Sequence, residues 1–100
     1  MDDYEIAIIL QAYNKGIIGM KNYVAIEKFS KMINWQKIST VYRIKKGFKS
    51  VAQKLVKRKL LSDDGKSMAV LYLDKIGASY IIGMNENEPK RISKILSKIE

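Results

Sequence analysis

The stretch VYRIKKGFKSVAQKLVKRK, residues 41–59, carries eight basic residues and no acidic one, with apolar residues spaced between the charges. At about 100° per residue, its apolar residues fall on one side of a helix, as they do when that side packs on a core. These residues are Val41, Ile44, Phe48, Val51, Ala52 and Leu55. The opposite side collects Tyr42, Lys46, Lys49, Ser50, Gln53 and Lys57, flanked by Arg43, Lys45 and Lys54. The pattern predicts an element that is core on one side and a basic surface on the other.

The charge of the chain is concentrated in this region. The 100 residues include 19 Lys or Arg and 10 Asp or Glu, for a formal net charge of +9. Residues 37–59, called the basic segment below, hold nine of the basic residues and none of the acidic ones, so the remainder is neutral. Charged residues that serve only solubility are usually spread along the whole chain, with Glu and Lys alternating along helices. The distribution favours a surface that contacts a polyanion over an ordinary solvated helix.

Gly47 leaves two alternatives for the start of the basic helix. Glycine inside a helix costs about 1 kcal/mol relative to alanine. Either one long helix over residues 39–60 tolerates it, with Ser39 as its N-cap, or the chain breaks at Gly47 and a shorter helix follows. The basic face is present in both cases.

The composition excludes several classes of function. Cysteine and histidine are absent, which removes disulfides, thiolate nucleophiles, the usual zinc sites and His-based acids or bases. There is no Walker A loop and no GxGxxG motif. Asp63 and Asp64 in SDDG (62–65) precede a glycine between two strand-like runs, which is typical of a hairpin turn. We expect no enzyme activity, no catalytic residue, no metal and no cofactor.

Length and hydropathy predict one globular domain over residues 1–100, with a body to residue 86 and a C-terminal helix over 87–100. No apolar run approaches the ~20 residues that span a bilayer, and MDDYEIAI (1–8) lacks the basic flank of a signal peptide. A cytoplasmic, nucleoid-associated protein without membrane contact is therefore expected. The Ile and Lys bias is compatible with a thermophilic source and equally with an AT-rich genome.

The other elements are predicted from periodicity and capping residues. A first helix runs from Asp2 or Asp3 to about Asn14, and a second covers about residues 22–33. NWQKIS (34–39) is interpreted as a turn, and residues 60–73 as a hairpin around Asp64 and Gly65. Asp74 caps a further helix of about ten residues. Its inward side is predicted to carry Ile76, Tyr80, Ile81 and Met84.

The last predicted helix, residues 89–99, begins at Pro89, where a proline is favoured. Its apolar stripe either completes the core or forms the seam of a homodimer, and the second alternative is preferred because a terminal amphipathic helix often lacks a partner within its chain. The predicted dimer interface is Ile92, Ile95, Leu96 and Ile99.

The order helix, helix, basic helix, hairpin, helix resembles a winged helix-turn-helix domain over about residues 4–84. STVYRIKK (39–46) is similar to the start of the recognition helix in PadR- and MarR-like regulators, and QKLVKRKLL (53–61) to its end and the first wing strand. AVLYLDKIGASYI (69–81) is similar to the second wing strand and the next helix, and the terminal helix to the PadR dimerisation helix. The resemblance implies a mainly α fold with a small β-hairpin (α+β).

The sequence departs from that pattern in three places. Lys59 stands where these families usually have Gly before two leucines, and the stretch from Ser39 to Leu60 is about two turns longer than their recognition helix. The wing tip is acidic, because Asp63 and Asp64 are opposed only by Lys66. The implied contact of the wing with the minor groove is therefore in doubt, and a protein partner is the alternative for the wing.

The function expected is that of a homodimeric double-stranded DNA-binding protein, a transcriptional repressor with its basic helix in the major groove. Lys46, Lys49, Lys54 and Lys57 suit phosphates, whereas Tyr42, Arg43, Ser50 and Gln53 suit bases. The predicted DNA contacts are Ser39, Thr40, Tyr42, Arg43, Lys45, Lys46, Lys49, Ser50, Gln53, Lys54, Lys57 and Lys66. The alternatives are a chromosome-coating protein or a centromere-binding adaptor in plasmid segregation, and a winged-helix protein-interaction module.

Overall fold

The N-terminal helix α1 (Asp3–Asn14) lies at the centre of the core. Its residues 5–10 and Ala12 are buried, so the helix is covered on nearly every side, as its almost continuous run of apolar residues requires. α1 contacts five other elements, which are the two C-terminal helices, one strand and two of the central helices. The first helix was predicted correctly, and of the two predicted N-caps, Asp2 and Asp3, the structure has Asp2.

The computed structural model describes residues 1–65 and 67–100. After α1 the chain forms a short 3-10 turn at Met20–Asn22, strand β1 (Val24–Ala25) and helices α2 (Ile26–Met32), α3 (Trp35–Val41) and α4 (Phe48–Lys57). A hairpin of β2 (Leu61–Asp63) and β3 (Val70–Leu73) follows, and then α5 (Lys75–Asn87) and α6 (Pro89–Ile99). The described residues are thus mainly helical with one small antiparallel sheet, in agreement with the α+β expectation. Within this described part, no helix is both long enough and apolar enough to cross a bilayer.

The sheet has the order β1-β3-β2, with both neighbours antiparallel to β3. Leu61 pairs with Leu73, and Val24 pairs with Leu71. Leu61, Leu71 and Leu73 are buried, whereas Val70 and Tyr72 on the other face are half-buried, which is the alternation of a sheet with one face on the core. The predicted hairpin is confirmed.

The predictions for residues 22–39 were partly wrong. Residues 24 and 25 form a strand instead of the start of a helix, because they pair with β3 and Ile26 N–H donates to the carbonyl of Ala69. Residues 35–39, interpreted as a turn, belong to α3. The turn is shorter and lies at Asn34, whose φ of 58° reverses the chain between α2 and α3.

The C-terminal helices begin where the sequence predicted. The Asp74 carboxylate accepts a hydrogen bond from Lys75 N–H at 2.6 Å, and α6 begins at Pro89. Ile76, however, was predicted to face inward and is exposed. On α6, Ile92, Ile95 and Ile99 are buried against α1, α3 and α5 of the same chain, and Leu96 is half-buried. The stripe therefore completes the core, the first of its two alternatives. The predicted seam is corrected, since side chains covered by their own chain do not present an interface to a second copy.

Candidate nucleic-acid interface

The helical structure is interrupted between α3 and α4. Of the two alternatives for the basic helix, one long helix over residues 39–60 or a shorter helix after Gly47, the structure has the shorter helix. α3 ends in a left-handed residue, Arg43, with φ of 56°, and Ile44 N–H donates to the carbonyl of Ser39 at 2.8 Å. This is the hydrogen bond that closes a helix C-terminus after a residue of that conformation. Gly47 itself has φ of −69°, which any residue adopts. The reversal is therefore made at Arg43, and Gly47 only precedes α4 as its N-cap.

The inner side of α4 holds the helix on the core. Phe48 stacks on Phe29 of α2, with ring centroids 5.7 Å apart, and packs against Trp35 of α3 at 5.4 Å. Val51, Ala52 and Leu55 are also buried. Trp35 is thus part of the packing around the core. Because its inner side is fixed at these positions, the outward direction of the polar residues of α4 is fixed as well.

The outer side of α4, called the α4 face below, consists of Lys49, Ser50, Gln53, Lys54 and Lys57, and all five are exposed. Arg43, Lys45 and Lys46 are exposed in the connection before the helix. Across residues 1–65 and 67–100, no carboxylate lies within 4.0 Å of these cations. The surface therefore presents cations whose charge is not neutralised within the described chain.

Two of these cations influence each other. The nearby ammonium group of Lys46, of like charge, lowers the pKa of Lys54. Like charges held together in this way are relieved by an anion placed between them. Lys46 and Lys54 thus form a point on the surface where a phosphate group would be favoured.

The end of α4 contains two basic residues of a different kind. Arg58 donates from Nη1 to Oε2 of Glu5 at 3.1 Å, and the Glu5 side chain also accepts from Asp2 N–H at 3.0 Å. Lys59 has φ of 63°, and Leu60 N–H donates to the carbonyl of Leu55 at 3.0 Å. Lys59 therefore occupies the left-handed position for which glycine is favoured. The pairing of Arg58 with Glu5 was not predicted, and no local spacing indicates it.

Three predicted contact residues belong to α3 or to its C-terminal cap. Tyr42 is half-buried, with its ring under the ammonium of Lys98 at 5.6 Å from the centroid, and its buried hydroxyl has no hydrogen-bond partner among the described residues. Burial raises the pKa of Tyr42, and the carboxylate of Asp3 raises it further. Ser39 and Thr40 lie inside α3, where their hydroxyls donate to the carbonyl of Gln36 at 3.1 and 2.8 Å. Ser39 is therefore not an N-cap.

The hairpin borders the α4 face on one side. A groove of about 370 Å³ is lined by Gln53, Val56, Lys57, Asp63 and Met68, so an acidic residue lies next to the polar end of α4. The Asp63 carboxylate accepts from Gly65 N–H at 2.9 Å, and Gly65 has φ of 76° in the turn. Lys66, the remaining predicted contact, lies outside the described residues.

A second and larger groove lies on the outer face of the sheet. It has a volume of about 430 Å³ and is lined by Met20, Tyr23, Asp63, Asp64, Val70 and Tyr72. Met20 is 71% exposed and Tyr23 is 55% exposed. The groove therefore combines an apolar floor with an acidic end, in contrast to the basic α4 face.

Comparison with protein families, curated proteins and solved structures finds no match to this chain. Its function is therefore inferred from the residues of the interface.

Proposed function

We propose that the protein binds double-stranded DNA through the α4 face, as a homodimeric regulator with a winged helix-turn-helix fold. The observation that carries this proposal is the cluster of exposed cations on α4 and in the connection before it, with no carboxylate within 4.0 Å among the described residues. Basic groups that neutralise phosphates release counterions, and this release supplies much of the affinity of DNA-binding proteins.

The fold is compatible with this use. A basic helix followed directly by an antiparallel hairpin is the order of the winged-helix proteins that the sequence resembles. The B-DNA major groove is about 12 Å wide and admits a single α-helix. α4 is ten residues long and exposes its polar side along its whole length, so it could enter the groove without rearrangement of the chain.

The side chains divide by chemistry into two groups. Lys46, Lys49, Lys54 and Lys57 suit phosphates as point charges, and the convergence of Lys46 with Lys54 favours one phosphate at that point. Gln53 and Ser50, which lie between the lysines on the helix, can donate to and accept from base edges. Asp63, beside Gln53 and Lys57, repels phosphates. DNA that binds with a phosphate close to Asp63 is therefore disfavoured.

The test is fluorescence anisotropy of a labelled random duplex of about thirty base pairs, titrated at several salt concentrations. One variant combines Lys49→Gln, Lys54→Gln and Lys57→Gln, and a matched control combines Lys15→Gln, Lys90→Gln and Lys94→Gln. Both lose three positive charges from exposed sites, the second set outside the basic segment. We expect the first variant to lose about 100-fold in affinity and to reduce the salt slope by about two to three, and the control to lose less than about threefold. Equal losses in both variants would rule out the α4 face as the binding surface.

A second candidate function is favoured by the outer groove of the sheet. Exposed methionine and tyrosine side chains are typical of protein interfaces, and the acidic end would attract a basic segment. In that case the protein is an interaction module, and wild-type binding to random duplex stays micromolar or weaker even at low salt. If DNA is bound, a search for a cognate site separates a repressor from a coating protein or a segregation adaptor, since a coating protein shows no preferred site.

A further inference from the structure

Helix α5 has an exposed side that no other part of the described chain covers. Lys75, Ser79, Ile82 and Glu86 follow one another at helical spacing along its centre, and all four are exposed. Ile76 is 52% exposed and Ile82 is 46% exposed, which makes them two of the most exposed large apolar residues among those described. Ile82 lies at the centre of this side, whereas Ile76, six residues earlier, lies about 120° away around the helix.

The charges on this side oppose the dipole of their own helix. Lys75 is the first residue of α5, where the dipole favours an acidic group, and Glu86 lies in the last turn, where it favours a basic one. The first turn contains no acidic residue and the last turn no basic one. Within residues 1–65 and 67–100, neither Lys75 nor Glu86 forms an ion pair. The arrangement is unfavourable for α5 alone.

A glycine near the middle of the helix leaves a depression in the same surface. Gly83 lines a groove of about 270 Å³ together with Ser79, Tyr80, Met84 and two further residues, Asn87 and Glu88. A Cβ atom at Gly83 would meet nothing within 4 Å, so packing within the chain does not require glycine there. Glycine weakens a helix interior, and the depression beside Ser79 that it leaves has room for a side chain from a neighbouring helix.

We infer that a second copy of this chain docks on α5, with the two α5 helices antiparallel across a two-fold axis. The midpoint between Lys75 and Glu86 in the sequence is also the midpoint between Ser79 and Ile82. An antiparallel pair therefore places Lys75 of each copy against the partner's Glu86, and Ile82 against the partner's Ser79, beside the depression at Gly83. The two charges that oppose the dipole of α5 are then next to the opposite charge and the opposite helix end of the partner.

This inference supplies an interface for the homodimer of the proposed function and is independent of DNA binding. One face of a helix roughly 20 Å long buries less area than a standard interface, so the dimer is weak and reversible. We expect a dissociation constant of the dimer on the order of 10–100 μM. Two half-sites on one duplex would hold two copies close together, and this higher effective concentration would favour the dimer.

The test is sedimentation velocity without DNA, on the full chain, from about 5 to 500 μM so as to bracket that constant. Four variants are compared with the wild type, namely Lys75→Glu, Glu86→Lys, the two combined, and Lys94→Glu as a control on α6. Each single reversal on α5 places like charges at both ends of the antiparallel pair, and the combined variant restores opposite charges. We expect the single variants to weaken dimerisation at least tenfold, the combined variant to return to within about threefold of wild type, and the control to be unchanged.

Gly83→Leu provides a second measurement. A Cβ atom at this position meets nothing within 4 Å and leucine favours a helix more than glycine does, so circular dichroism should show an intact fold while the dimer is lost. A wild type that stays monomeric at every concentration overturns the inference. So does a combined variant no better than the single reversals, or a Gly83→Leu variant that dimerises like wild type. A wild type that dimerises but does not bind DNA would instead contradict the proposed function and leave this inference standing.

Discussion

Two groups of basic residues on this protein differ in what surrounds them. Arg58 and Arg91 each meet a carboxylate of α1, with Arg58 at 3.1 Å from Glu5 and Arg91 at 2.8 Å from Asp3. The lysines of the α4 face have no such partner within the part of the chain that the structure describes. Arg58 follows Lys57 directly in the sequence, yet the two residues belong to different groups.

The density of charge alone therefore does not identify a binding surface. Arg58 adds to the basic segment in the sequence, but in the structure it neutralises a carboxylate that is only 3% exposed. A buried carboxylate without a partner is costly, so Arg58 is a structural cation. The cations available to a ligand are those left after such pairs are removed, and they define the α4 face.

The largest expected effect comes from reversing two of the unpaired cations. A variant with Lys49→Glu and Lys57→Glu should lose at least about 1000-fold in affinity for duplex DNA at low salt, because repulsion replaces phosphate neutralisation. Its free energy of unfolding should change by less than about 0.5 kcal/mol, since both residues are exposed. Anisotropy and urea unfolding measure the two quantities. A large loss of stability would show that these lysines are structural too.

The second effect tests the paired group. Glu5→Ala should destabilise the fold by about 2–3 kcal/mol, because it removes the capping contact with Asp2 N–H and leaves Arg58 without its partner. Arg58→Gln should cost about 1 kcal/mol, a smaller value because Arg58 is half exposed. DNA affinity should fall less than about threefold in the Arg58 variant. If it falls as far as it does when Lys57→Gln is made alone, the distinction between the two groups does not hold.

A third effect concerns Tyr42, which was predicted to contact bases and whose buried hydroxyl has no hydrogen-bond partner in the part of the chain that the structure describes. Tyr42→Phe should raise the free energy of unfolding by about 1 kcal/mol and leave DNA affinity unchanged, because it removes an unsatisfied polar atom. The pKa of Tyr42 is raised in the folded state, so the folded chain holds this proton more tightly than the unfolded chain. That contribution to stability is complete below about pH 10 and is lost as pH rises through the folded pKa.

Wild type should consequently lose stability more steeply than Tyr42→Phe above about pH 10 in urea titrations. Tyr4 has a raised pKa for the same main reason, burial, and is present in both proteins, so it cancels in the comparison. Identical alkaline profiles would show that the Tyr42 hydroxyl reaches solvent.

The smallest effects distinguish two basic residues that share one backbone conformation. Arg43 and Lys59 both have left-handed φ values, of 56° and 63°, so replacement of either by glycine should stabilise the fold by about 0.5–1 kcal/mol. Arg43→Gly should also weaken DNA binding about three- to tenfold, because Arg43 is a predicted base contact, whereas Lys59→Gly should change it less. Equal binding by both variants would remove Arg43 from the interface.

The sequence predicted those features that depend on local spacing. The stripe of α4, the hairpin around Asp64 and Gly65, the Asp74 cap and the start of α6 at Pro89 all follow from residues within one or two turns of each other. Strand β1 was missed because its partner β3 lies about forty-five residues further on. The alternative chosen for α6 was wrong for the same reason, since its stripe meets α1 at the other end of the chain.

The candidate site shows the same limit. Helical phase placed Lys49, Ser50, Gln53, Lys54 and Lys57 correctly on an exposed side, and that exposure is all the structure tests of their predicted contacts. It misplaced Tyr42, because a single helical phase was carried across a break that the chain makes at Arg43. The nearness of Asp63 to Lys57 depends on how the hairpin folds back on α4, and no spacing in the sequence predicts it.

α4 is anchored at both ends, by the aromatic packing of Phe48 at the first residue and by the Arg58 contact with Glu5 just past the last. A helix fixed in this way is already folded before it meets a ligand. Association through it should therefore bury little additional apolar surface, and calorimetry should give a small heat-capacity change, without the large negative value of coupled folding. The enthalpy of binding would then be nearly constant with temperature.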